Sequence, residues 1–193
     1  PWIICVSASS RTAFWGRLLV LLLTAYLLTH ALTQYERFHS DEAFFMTFAR
    51  GAAVNGDWLL PGSLDKPPAS MYLNALGLIL FATDADAAGV LYLDVHKGEF
   101  AARVTGILQG VLFVAAMMAL ARRLQSGAGY ALLVGLLAAL SPYLIAFAPT
   151  AFTDMPMLLF GALAWLLASQ KQATLSGVAW ALSFAAKPQA VFL

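Results

Sequence analysis

Charge is scarce in this chain. Only 11% of its 193 residues are Asp, Glu, Lys or Arg, where a soluble domain carries about 25%. With 61% hydrophobic residues and a mean hydropathy of +0.78, this composition predicts an integral membrane protein. Cysteine is scarcer still. The single Cys5 excludes an internal disulfide framework and a multi-cysteine metal site, and it reads as a small buried hydrophobe. The three histidines, His30, His39 and His96, show no metal-ligand spacing. There is no G-x-G-x-x-G after a strand, no P-loop and no G-x-S-x-G, so no nucleotide-binding fold or hydrolase elbow is expected. The net charge of +1 says little about partners, and no nucleic-acid partner is expected.

What is present is a series of apolar runs. Leu18–Tyr35, Pro67–Thr83, Val104–Ala121, Leu124–Thr153, Met155–Gln170 and Gln172–Ala186 contain no charged residue. A membrane-spanning helix takes roughly 20 apolar residues, with a range of about 17–25. Leu18–Tyr35 exceeds the about 7–15 residues of a signal-peptide core. Ser141-Pro142 and Pro149 break the 30-residue run Leu124–Thr153, leaving one span over about Gly129–Phe147 and a short loop. Pro67–Thr83 opens on Pro-Pro and runs into TDADAAG, which predicts an interfacial or partly inserted helix. Asp41–Val54 predicts a second interfacial helix. Ser40 is its N-cap, Asp41 and Glu42 occupy its first turn, Phe44, Phe45 and Phe48 form its apolar side, and Asn55-Gly56 ends it.

The fold expected is therefore all-α: a polytopic membrane helical bundle of about five spans, with two interfacial helices in the first outer loop. Residues 1–193 form part of one transmembrane domain. The chain opens on PWII and stops at AVFL inside an apolar run, so the N-terminal part of a longer protein is expected. With Pro67–Thr83 not crossing, one side holds Arg11, Arg17, Arg122, Arg123 and Lys171 and no acid, while all ten Asp and Glu residues lie on the other. Basic residues prefer the cytoplasmic side, so the acids are expected to face outward from a plasma membrane.

Four features could carry chemistry, and each has a plain structural reading beside a functional one. Asp41-Glu42 is either acid placed for the helix dipole or a general base with a neighbour. Adjacent helix residues point about 100° apart, so only one of them faces a given pocket, and the other can orient it, bind a metal or form a salt bridge. Asp65-Lys66-Pro67-Pro68 is either a turn before a helix or a lysine aimed at a phosphate. Asp154 in PTAFTDMPMLLF is either a helix-start acid or an ionisable group on a substrate path. Lys187 in LSFAAKPQAVF is either a snorkelling lysine or a phosphate ligand.

Taken in order, SDEAFFMTFARGAAVNGDW with LPGSLDKPP, GEFAARVTGILQGVLFVAAMMALARRL, SPYLIAFAPTAFTDMPMLLF and LSFAAKPQAVFL resemble the GT-C superfamily of membrane glycosyltransferases. The likeness is to the N-terminal half of the branch of protein O-mannosyltransferases and aminoarabinose transferases, and it runs from about Phe14 onward. The resemblance implies transfer of a sugar, with inversion, from a polyprenyl-phosphate donor to a lipid, glycan or protein acceptor. It implies Asp41 as catalytic base, with Glu42 beside it, and Asp154 facing the same cavity. It also implies Lys66 near the donor phosphate and Lys187 at a later lysine-proline position. The aminoarabinose branch has Glu, linked to a metal, where this chain has Asp65, one methylene shorter. A divalent metal is thus left open, with Asp65 its candidate ligand. Two alternatives stand beside this one. A transporter or flippase for lipid-linked sugars would line a path with Asp41, Asp154 and Lys187, and would show inverted repeats or broken spans in paired positions. A non-catalytic binder of such lipids would tolerate loss of Asp41.

Overall fold

The computed structural model describes residues 8–30, 32, 39–62, 67–125 and 127–193. Among them are eight α-helices and one two-stranded hairpin. The helices are α1 (Ala8–His30), α2 (Ser40–Arg50), α3 (Pro68–Phe81), α4 (Val95–Leu124), α5 (Ala128–Ala139), α6 (Pro142–Phe147), α7 (Asp154–Ser169) and α8 (Ala173–Ala186). The strands β1 (Thr83–Ala85) and β2 (Leu91–Leu93) pair antiparallel, with Asp84 opposite Tyr92. The chain is thus mostly helical, as expected; the hairpin was not. It is closed by Asp86, whose Oδ1 accepts from the N–H groups of Ala88 and Val90, both at 2.8 Å.

Helices α1 and α4 are long and apolar enough to cross a membrane, over Thr12–His30 and Lys97–Leu124. The other three expected spans come as shorter apolar helices. Helix α5 has 12 residues, α7 has 16 and α8 has 14, each below the about 17 that a span takes. The run expected as one span over Gly129–Phe147 divides at Leu140-Ser141. Pro142 sits in the first turn of α6, where a missing N–H costs nothing, but it cannot continue α5.

Two contacts set α1 antiparallel to α4. Leu28 lies beside Gly110, and Gly135 of α5 lies against both Val20 and Met118. At one end of the bundle stand Arg17, Arg122, Arg123 and Lys171, and Arg123 Nε donates to Ser169 O at 3.5 Å. Among the described residues that end carries no acid. The opposite end holds Asp41 and Glu42, the hairpin acids Asp84, Asp86 and Asp94, Glu99, and Asp154.

Helix α2 buries Glu42, Met46 and Ala49 and widens into a π turn at Gly51–Asn55. Gly56 then ends it in the left-handed region, φ 76°, a conformation open to Gly at little cost. The N-cap is His39 rather than Ser40: its Nδ1 accepts from Asp41 N–H, and Glu42 returns to its backbone N–H. That is a capping-box exchange, with an imidazole where Ser or Thr usually stands.

Candidate active site

At the acidic end a cleft of about 680 Å³ opens between α2, the segment 147–154 and the end of α8. Asp41, Asp154 and Lys187 line it, with Phe44, Phe45, Phe147 and Phe152 as aromatic walls. Three of the charged residues singled out in sequence therefore meet on one concave surface. Asp65 and Lys66 lie outside the described residues.

Asp154 opens α7, where the helix dipole favours an acid, and it is 5% exposed. Its Oδ1 accepts from Lys187 Nζ at 2.6 Å and from Tyr143 O–H at 2.5 Å. Pro188 restricts the residue before it to extended backbone. Lys187 accordingly has φ −159° and ψ 123°, which ends α8 and turns the lysine to the cleft. A cation in an apolar stretch is expensive unless paired, and Asp154 is its partner.

Asp41 is set differently. Its side chain is 72% exposed, and His39 Nδ1 stands 3.8 Å from its Oδ2. It is the accessible carboxylate of the cleft, at the start of a helix fixed from below.

Glu42 faces the interior and does not line the cleft. It is 4% exposed. Its Oε1 accepts from Ala151 N–H at 3.0 Å and stands 3.7 Å from Arg103 Nε, while Oε2 accepts from His39 N–H at 2.9 Å. Of the ways open to the neighbour of a cleft acid, it takes the salt bridge. Ala151 is also held from its other side, where Asn74 Nδ2 donates to its carbonyl at 3.1 Å. Asn74 Oδ1 in turn accepts from Thr105 Oγ1 at 3.3 Å. The segment 148–153 packs so close to α4 that a Cβ on Gly106 would stand 2.3 Å from Ala148 O and 2.7 Å from Thr150 O. Helix α2 and the loop that feeds α7 are thus tied to each other and to α3 and α4. These ties fix the spacing of Asp41 and Asp154.

Sequence reasoning missed Tyr143, Phe147 and Phe152 at the cleft, and Arg103 and Asn74 beneath it. Arg103 had a signal: like Lys187, it is a charge bordering a long apolar run. Tyr143 follows the Pro142 break. Asn74 had none. No group of three or more His, Cys, Asp or Glu side chains is placed to hold a metal among the described residues.

Comparison with protein-family models, with curated proteins and with solved structures finds no match to the chain.

Proposed function

We propose that this chain belongs to a membrane glycosyltransferase that moves a sugar from a polyprenyl-phosphate donor to an acceptor hydroxyl or amine. In this reading the bundle is multi-pass, its basic end faces the cytoplasm, and the cleft opens at the outer face of the plasma membrane. The single observation that carries it is the meeting of Asp41, Asp154 and Lys187 in one cleft at the acid-rich end. Exposed apolar side chains such as Leu19, Leu137, Val178 and Phe184 favour a lipid surround, since soluble monomers rarely expose large contiguous apolar patches.

The division of labour follows from burial. Asp41, exposed, takes the proton of the acceptor O–H or N–H as that atom attacks the anomeric carbon. The bond from that carbon to the phosphate oxygen breaks on the opposite face, and the lipid phosphate leaves with the electron pair. Lys187 meets the charge that develops on the phosphate, with Lys66 as a second cation. Asp154, already engaged by Tyr143 and Lys187, holds Lys187 in place. A lipid-borne donor keeps its phosphate at the bilayer surface, so these groups belong where the hydrocarbon ends.

The test is release of lipid phosphate by the full protein in vesicles given a panel of polyprenyl-phosphate sugars and acceptors. Asp41→Asn should lower turnover by about 10²–10⁴-fold, the usual worth of a general base, with unchanged unfolding temperature. Unimpaired Asp41→Asn would remove the base assignment. Donor lipids crossing the bilayer without phosphate release would replace transfer with transport.

A further inference from the structure

A cavity somewhat larger than the cleft lies away from it, toward the basic end. It is an open groove of about 720 Å³ between α4 and α7. Phe113, Met117, Leu120 and Leu124 form its wall on α4 and Leu158 to Ser169 its wall on α7, and Leu193 also lines it, its carbonyl accepting from Trp165 Nε1 at 3.3 Å. Each wall advances eleven residues, or about 16 Å at roughly 1.5 Å per residue. That matches one leaflet of a hydrocarbon layer about 30 Å thick. A second groove of about 510 Å³ runs along the other side of Trp165 and shares Ala168 with the first. Two apolar channels therefore flank one half-exposed indole. Both run out at cations: Arg123 contacts Ser169 O in the wall of the first groove, and Lys171 lines the second. Among the described residues no acid stands at that end.

We infer that this face is a binding site for a two-chain anionic phospholipid of the leaflet at the basic end. One acyl chain lies on each side of Trp165, and the phosphate headgroup sits between Arg123 and Lys171. Length and charge favour this occupant over a protein segment: the first groove stops at the depth of one leaflet, and the mouths of both carry one sign of charge. The inference needs the membrane part of the reading above but not the sugar transfer.

The test uses the full protein in vesicles of phosphatidylcholine containing phosphatidylglycerol, with bromine on the acyl chains of one lipid or the other. Quenching at Trp165 is read as the difference between the protein and its Trp165→Phe variant, and quenching at Trp15 from Trp15→Phe. Brominated phosphatidylglycerol should reach Trp165 in preference to brominated phosphatidylcholine by roughly twenty-five-fold in relative affinity, a factor of about five for each of two cations at an anionic surface. Arg123→Gln with Lys171→Gln should bring the two lipids level while both still quench. Equal quenching by both lipids in the unaltered protein overturns the headgroup site. Quenching at Trp15 but none at Trp165 means that protein covers the groove, and the inference falls while the membrane reading stands. Quenching at neither indole removes both.

Discussion

Asp41 and Glu42 are neighbours in the chain with opposite surroundings, and substitution should separate them. Asp41 is exposed, so Asp41→Ala should change stability by no more than about 0.5 kcal/mol. Glu42→Ala leaves the N–H groups of Ala151 and His39 and the Arg103 guanidinium without their buried carboxylate, a loss of about 3–5 kcal/mol. Thermal unfolding of the two variants in the same lipid checks this, and equal shifts would refute it. The Asp154–Lys187 pair gives a second case. Lys187 keeps 28% of its side chain exposed, so Asp154→Asn should cost about 1.5–3 kcal/mol, the range of a hydrogen bond to a charged group. Adding Lys187→Met should recover part of that loss, because the unmatched cation goes too. A double-mutant cycle reads the coupling, and strictly additive losses would mean the two do not stabilise each other. Charges in apolar stretches were legible from sequence because they are costly there. Their partners were not: Glu42 meets Ala151 across 109 residues and Asn74 meets it across 77, and only packing brings them together.

At the scale of elements, the sequence located most helices through their apolar runs and the prolines that end them. It missed the hairpin, whose three-residue strands are too short and exposed to show a period. It also merged α5 and α6, since their apolar run continues through Ser141. Helix spacing depends on glycines that a periodicity argument does not weigh. A Cβ on Gly106 would strike the backbone carbonyls of Ala148 and Thr150, whereas one on Gly177, in the middle of α8, meets nothing within 4 Å. Gly106→Ala should therefore push the loop that feeds Asp154 away from α4 and cost about 1–3 kcal/mol. Gly177→Ala should stabilise by about 0.5–1 kcal/mol through helix propensity alone. Opposite shifts in unfolding midpoint are the expected result; destabilisation by both would mean that something outside these contacts packs on α8.

For the whole molecule, the decisive asymmetry is between the two ends. Arg17, Arg122, Arg123 and Lys171 stand at one without an acid among the described residues, and the acids of α2, the hairpin and α7 gather at the other, where Arg50, Lys97, Arg103 and Lys187 accompany them. In a bilayer the end whose charges are all basic is the one expected on the cytoplasmic side, which Lys and Arg prefer. The ends also divide the proposed sites. The cleft lies at the acidic end, where a lipid-borne sugar would be met, and the paired grooves run out at the basic end. Both assignments depend on the ends lying on opposite sides of the membrane. With Cys5 replaced by Ser, a single cysteine at Ala88, exposed in the hairpin turn, should react with an impermeant thiol reagent on intact cells. One at Gln172, exposed in the α7–α8 turn, should react only after permeabilisation. The reverse pattern would keep the bundle but turn the cleft to the cytoplasm. Labelling of both on intact cells would remove the spanning arrangement, and with it the reason for the charge asymmetry.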